Sequence, residues 1–167
     1  SADLIFALPG QSLEMLDRDI DALLEAEAPH ISLYGLTIEP GTAFAKLRAE
    51  GRLSLPDSDH WADLYSHIQE RLEAAGMEQY EISNFARPGH RSVHNGQVWR
   101  GGFYAGLGPS AHGFTPSGIR TFNPADLDTW MRDPPNGGEI PSPGEAAIDY
   151  LLSTLRHVEG SDLDELA

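Results

Sequence analysis

Two apolar segments that alternate with helical patterns constrain the fold of this 167-residue chain most strongly. Residues 3–8 (DLIFAL) are almost continuously apolar after one acid, and residues 30–37 (HISLYGLT) form a second strand-like segment. An unbroken apolar run is typical of a strand that is buried on both faces of a parallel sheet. Strands that alternate with helices favour the α/β class. The sequence therefore predicts an α/β fold with a parallel sheet.

Helix signals occupy the intervals between and after these segments. Ser12 is placed to cap a helix over residues 13–27, and Asp57 or Ser58 is placed to cap a long helix that stops at Gly76. Residues 83–118 are rich in Gly, His, Asn and aromatic side chains and have no regular periodicity. Further helices are predicted over residues 43–50, 126–132 and 145–157, and short strands over residues 80–82 and 103–107.

Proline and glycine divide the chain near its end. Residues 133–144 are rich in both and are predicted to be a linker between residues 1–132 and a new helical region at 145–167. The two ends indicate a segment of a larger protein. A buried strand at position 3 needs neighbours on both sides, and residues 162–167 resemble a first helical turn that stops early.

Composition excludes several classes of site. The sequence has no cysteine, so it supplies no disulfide, thiolate zinc site, catalytic thiol or Fe–S ligand. Its net charge of −15 is spread along the chain without a Lys/Arg-rich run, which argues against nucleic acid as a partner. Apolar runs are far shorter than the roughly 20 residues of a membrane span. We expect a cytoplasmic protein with no integral membrane segment.

Several residues leave alternatives open. Asp3 is either a solvated charge at the start of a strand or a carboxylate that accepts hydrogen bonds from a ligand's hydroxyl or amine groups. Gly106 and Gly108 indicate close backbone approach to either a neighbouring segment or a ligand. Sequence spacing alone does not separate these alternatives.

The seven histidines form no metal-binding pattern. His90 and His94 are four residues apart, but the nearby Pro88-Gly89 and Asn95-Gly96 pairs predict no helix that would align them. His60 and His67 are expected to be solvated on the long helix. His94 is either a hydrogen-bonded loop histidine or an axial haem ligand, since haem needs only one imidazole on one side.

Five motifs occur in an order and spacing that together resemble a known family. They are residues 3–11 (DLIFALPGQ), 32–42 (SLYGLTIEPGT), 80–86 (YEISNFA), 94–102 (HNGQVWRGG) and 106–113 (GLGPSAHG). The chain resembles, over nearly its whole length, the radical S-adenosylmethionine proteins related to oxygen-independent coproporphyrinogen III oxidase, in particular their haem-chaperone branch. The resemblance implies the C-terminal portion of a partial (β/α) radical-SAM barrel, followed by the start of a small helical C-terminal domain.

The resemblance also implies a function. A member of the chaperone branch would bind haem and S-adenosylmethionine and deliver haem to respiratory proteins. The alternative is the oxidase itself, which performs radical oxidative decarboxylation in porphyrin biosynthesis. Both imply a [4Fe-4S] cluster whose cysteine ligands lie upstream of this sequence, so we expect no catalysis from these residues alone.

Four site residues follow from matching positions in the family. Asp3 matches a barrel-strand acid that contacts S-adenosylmethionine, and Thr37 and His112 match positions that contact the same cofactor. His94 matches the histidine of an H-N-x-x-Y motif that is proposed to bind haem. The tyrosine of that motif is replaced here by Val98, which removes a possible hydrogen bond or ligand and leaves the imidazole in place.

Overall fold

The chain folds into two compact units, residues 1–91 and 92–167. A computed structural model describes residues 1–132, 137–162 and 164. The first unit contains seven elements: β1 (Ala2–Phe6), α1 (Leu13–Glu25), β2 (His30–Gly35), α2 (Ala43–Ala49), α3 (Ser58–Ala74), β3 (Glu78–Gln79) and β4 (Asn84–Ala86). This order of strands and helices confirms the predicted α/β class.

The four strands of the first unit form one sheet in the order β1-β2-β4-β3. β1 and β2 are parallel, as predicted, whereas β4 is antiparallel to both of its neighbours. The prediction of a strand at residues 80–82 was wrong, because these residues connect β3 to β4. The Glu81 carboxylate accepts a hydrogen bond from the Ser83 backbone N–H at 2.7 Å, which closes that connection.

Apolar side chains on one face of this sheet pack against helices α1 and α3. Leu4, Leu33 and Phe85 come from the strands and are buried with residues from both helices. The helical contribution consists of Leu16, Ile20, Leu64, Ile68 and Leu72. Successive residues of a strand point to opposite faces, so the alternate residues of β1, β2 and β4 face away from this core.

A polar network also joins α1 to α3. His67 donates from Nε2 to Asp17 Oδ1 at 2.8 Å, and Arg71 binds both Asp17 and Asp21. The hydrogen bond from His67 is the main cause that lowers the pKa of Asp17 below its usual value. The expectation that His67 is simply solvated was therefore wrong, because it connects the two helices.

The second unit begins with α4 (Val93–Trp99) and contains a three-stranded antiparallel sheet in the order β5-β6-β7. Its other elements are β5 (His112–Phe114), β6 (Arg120–Phe122), α5 (Leu127–Arg132), β7 (Gly137–Glu139) and α6 (Pro143–Thr154). The helix α4 contradicts the expectation that Asn95-Gly96 prevents helix formation. Ser92 caps it by accepting a hydrogen bond from the Asn95 backbone N–H at 3.2 Å.

The short helix and the final helix predicted in this region are confirmed as α5 and α6. Of the strand predicted over residues 103–107, only Tyr104 forms a bridge, to Phe114. Within the predicted linker, residues 137–139 form β7, and residues 133–136 lie outside the described residues. The end of the predicted C-terminal domain, residues 163 and 165–167, also lies outside them. None of the described helices is both long and apolar enough to cross a bilayer.

Candidate functional site

The face of the first sheet that points away from the helices carries three polar side chains in one row. Asp3 is in register with Ser32, and Ser32 is in register with Asn84. Their strand neighbours Leu4 and Phe85 belong to the core, so these three side chains share the opposite face. Asp3 is exposed, whereas Ser32 and Asn84 are buried. We call Asp3, Ser32 and Asn84 the polar row.

One atom of the polar row is buried and has no hydrogen-bond partner among the described residues. Asn84 Nδ2 donates to the carboxylate of Glu81, which is only 1% exposed, while Asn84 Oδ1 is left unpaired. A buried acceptor without a donor costs about 1–3 kcal/mol. An unpaired buried atom of this kind requires an explanation, and a bound ligand that donates a hydrogen bond is one.

A neutral histidine lies next to the polar row. His30 Nε2 is 2.8 Å from the Tyr80 hydroxyl, and its Nδ1 is 3.0 Å from the Ser1 hydroxyl. Burial is the main cause that lowers the pKa of His30, whereas the carboxylates of Asp3 and Glu81 act in the opposite direction. The ring is therefore uncharged at neutral pH and offers a dipole, not a cation, to a ligand on this face.

Asp3 and Thr37 are not brought together. Asp3 is level with Ser32, and β2 continues for three more residues to Gly35, a rise of about 10 Å. Thr37 follows that strand end, is exposed, and donates from Oγ1 to the Gly35 carbonyl at 3.4 Å. A single ligand that contacts both residues has to extend along the sheet.

The turn after β1 holds a second unpaired polar atom. Gln11 is buried and accepts a hydrogen bond from the Leu8 backbone N–H through Oε1 at 3.2 Å, but its Nε2 has no partner among the described residues. In the same turn Ala7 has a φ of 59°, a left-handed conformation that is rare for a residue with a Cβ. Such backbone strain is concentrated at functional sites. Sequence reasoning assigned no role to Gln11.

In the second unit, His94 lies exposed in the first turn of α4. Residues four apart share a helix face, so Val98 follows His94 on the same side of α4. Val98 and the adjacent Trp99 line a cavity of about 700 Å³, which is within the size range of small-molecule sites. Tyr104, Phe114, Arg120, Arg156 and several residues of α6 complete its wall.

His112 is exposed on β5, where its ring centroid lies 6.4 Å from that of Phe122. It is not among the residues that line the cavity. The glycine at position 106 has a structural explanation, since a Cβ at Gly106 would overlap the backbone carbonyl of His112. Asn123 Nδ2 also donates to the carbonyls of Gly106 (3.2 Å) and Gly108 (2.7 Å). The close approach at Gly106 is therefore to a neighbouring backbone segment.

Metal-ligating side chains are not clustered in the described residues. No group of three or more His, Asp or Glu side chains there is arranged to hold a metal ion. Since the sequence also has no cysteine, the chain contributes no thiolate to an iron–sulfur cluster.

Comparison with known proteins gives consistent relatives, although no protein-family model matches the chain. "Heme chaperone HemW" of Bacillus subtilis is 45% identical over 123 residues, which are 74% of this chain and 32% of that protein. The protein of the same name from Synechocystis is 38% identical over 168 residues, 96% of this chain and 40% of its own length. "Radical S-adenosyl methionine domain-containing protein 1, mitochondrial" of Danio rerio is 40% identical over 169 residues, 95% of this chain and 36% of its own.

A solved structure is similar across almost the whole chain. Coproporphyrinogen III oxidase (HemN) from Escherichia coli, described as a radical SAM enzyme, matches with a TM-score of 0.75. The match covers 98% of this chain and 42% of HemN at 16% sequence identity, so it supports the fold alone. The chain spans about a third of the length of the curated relatives it matches. On these relationships in sequence and fold, the chain belongs to the HemW/HemN-like radical S-adenosylmethionine proteins.

Proposed function

We propose that this chain is the haem-facing and S-adenosylmethionine-facing part of a haem chaperone. The relatives that carry the chaperone name are 38–45% identical to it. The observation that carries the proposal is the placement of His94, whose exposed imidazole lies one helical turn before the cavity residue Val98. An exposed imidazole one helical turn from a cavity residue is suited to bind the iron of a haem molecule.

The loss of the tyrosine from the H-N-x-x-Y motif is compatible with this role. Val98 contributes an apolar side chain to the cavity wall, and the hydrocarbon surface of a porphyrin ring is favourably buried against such a side chain. Iron ligation by His94 does not require the phenol. The likeness to the oxidase is one of fold at 16% identity, so the chaperone is the better supported function.

The polar row is the proposed binding surface for S-adenosylmethionine. The Asp3 carboxylate would accept hydrogen bonds from the ribose hydroxyls, as acids do in dinucleotide-binding folds, and Asn84 Oδ1 offers a second acceptor. Roles for Thr37 and His112 in binding this cofactor stay predictions. S-adenosylmethionine supplies radical chemistry when it is bound to a reduced [4Fe-4S] cluster. Residues outside this sequence would hold that cluster.

Delivery of the haem is the last part of the proposal. The recipients would be haem-accepting respiratory proteins, and the transfer would take place in the cytoplasm. The formal charge of −15 without a basic run supports a protein that acts away from nucleic acid and anionic lipid surfaces. A haem that is held by one imidazole at a surface helix is also accessible to a recipient protein.

Haem titration of the complete protein tests the assigned ligand. The wild type should give a shifted Soret band, and His94→Ala should lose that shift and bind haem about 10–100 times more weakly, since the iron loses its protein ligand. His90→Ala is the matched control because His90 is also an exposed histidine close in sequence. An unchanged spectrum in His94→Ala would show that another residue is the ligand.

Substitution of Asp3 tests the cofactor surface. In the complete protein, Asp3→Asn should weaken S-adenosylmethionine binding about 10-fold or more, because hydrogen bonds to a charged group contribute about 1.5–3 kcal/mol. Equilibrium dialysis with labelled cofactor measures this change. Asp19→Asn, at an exposed acid on α1, should leave the affinity unchanged. Equal affinities of Asp3→Asn and the wild type would remove Asp3 from the site.

A further inference from the structure

The cavity of the second unit is lined by aromatic, small and positively charged side chains. Trp99, Tyr104 and Phe114 supply aromatic surface, and Ala146 and Ala147 of α6 contribute small side chains to the lining. With a volume of about 700 Å³, the cavity is large enough for a drug-sized or cofactor-sized ligand. This volume and lining suit a largely apolar molecule with an aromatic ring.

Positive charge is located at the aromatic part of the wall. The Arg156 guanidinium carbon lies 5.2 Å from the centroid of the Trp99 ring, and both residues line the cavity. Arg120 also lines it and is paired with Glu139 and Asp149. A guanidinium matches the geometry of a carboxylate and forms paired hydrogen bonds with it. Because Arg156 contacts Trp99 within the cavity lining, it is placed to bind a carboxylate of a ligand whose ring packs beside Trp99.

We propose that this cavity binds the macrocycle of a porphyrin, with Trp99 against the ring and Arg156 on a propionate. The proposal rests on the function proposed above and adds a binding site to the single ligand His94. Val98 joins the two, because it lies on the face of α4 that carries His94 and also lines the cavity. The contacts of the cavity are to the ring and its carboxylates, so they do not depend on the iron.

Because the cavity contacts do not depend on the iron, an experiment can distinguish porphyrin binding by the cavity from iron ligation by His94. The complete protein is titrated with haem and with iron-free protoporphyrin IX, and dissociation constants are obtained from quenching of protein fluorescence. The wild type should bind both molecules. His94→Ala should weaken haem binding and leave iron-free porphyrin within about 3-fold of the wild-type affinity, a difference below about 0.7 kcal/mol.

Filling the cavity should affect both ligands equally. Ala147→Phe places a ring in the space and should weaken haem and iron-free porphyrin by about 10-fold or more. Ile148→Phe is the matched control, since Ile148 is the next residue of the same helix, is 57% exposed and does not line the cavity. Arg156→Gln should weaken both ligands about 5–10-fold, and Arg156→Lys should recover only part of the loss, because it keeps the charge and loses the paired hydrogen bonds of the guanidinium.

The outcomes distinguish this inference from the proposed function. If haem binding needs His94 and is unaffected by Ala147→Phe and Arg156→Gln, porphyrin binding in the cavity is contradicted. The proposed chaperone function would remain intact. A wild type that binds haem and not iron-free porphyrin would have the same consequences. A wild type that binds neither molecule would overturn both proposals. Circular dichroism checks the fold of each variant, and the Arg156 pair decides the question if Ala147→Phe does not fold.

Discussion

Replacing Phe85 with alanine is expected to lower the free energy of unfolding by about 3–5 kcal/mol. The Phe85 side chain is fully buried between the sheet and the helices of the first unit, in the same core as Ile31 and Leu72. Its removal loses the transfer free energy of a phenyl ring and leaves a cavity, which a close-packed core fills only in part. Urea denaturation followed by circular dichroism measures the change.

Phe44→Ala is the matched control for this prediction. Phe44 lies on α2 in the same unit and is 46% exposed, so its truncation should cost no more than about 1 kcal/mol. Since Phe85 is adjacent to Asn84 in β4, weaker binding of S-adenosylmethionine by Phe85→Ala would also be consistent with a role of the core in holding the polar row. Equal destabilisation by the two variants would contradict the assigned core.

Gly106→Ala is expected to destabilise the second unit by about 3 kcal/mol, at the upper end of typical overpacking costs. The new Cβ would overlap the backbone carbonyl of His112, and the backbone has no rotamer through which to move away. The hydrogen bonds from Asn123 to the carbonyls of Gly106 and Gly108 depend on the same close approach. Thermal unfolding of the complete protein, followed by circular dichroism, measures the effect.

Gly144→Ala is the control for this variant. Gly144 lies in the first turn of α6 with no heavy atom near an added Cβ and an ordinary φ. Alanine is favoured over glycine in a helix by about 0.5–1 kcal/mol, so this change should raise stability slightly. If Gly106→Ala melted at the wild-type temperature, the close approach would have no energetic importance.

The long elements of the first unit could be predicted from the sequence because their apolar periodicity extends over several turns or residues. α1, predicted over residues 13–27, is observed at Leu13–Glu25, and the segment predicted at 30–37 contains β2 at His30–Gly35. β3 and β4 have only two and three residues, too few for a period to be recognised. Their pairing depends on the Glu81 carboxylate in the turn, and a pattern of hydrophobicity does not contain that interaction.

The helix α4 shows how local signals can outweigh an unfavourable residue. Gly96 lies within it, but Ser92 caps its start and Gly101, with a φ of 76°, follows its C-cap. Of the polar row, only Asp3 was identified from the sequence, and the alternation of His30, Ser32 and Tyr34 with apolar residues in β2 was not used to predict a polar face. The unpaired atoms of Gln11 and Asn84 and the cavity beside Trp99 depend on tertiary packing, so only the three-dimensional structure reveals them.

The register of β1 and β2 has a consequence for how this protein can change during evolution. Asp3 pairs with Ser32 on one face while Leu4 pairs with Leu33 on the other. Insertion or deletion of one residue in either strand would exchange the two faces, moving the polar group into the core and leucine out of it. Individual side chains on the face that carries the polar row are therefore open to replacement, whereas the lengths of these strands are not. Lineages that diverge in ligand preference would do so by substitution within a fixed alignment.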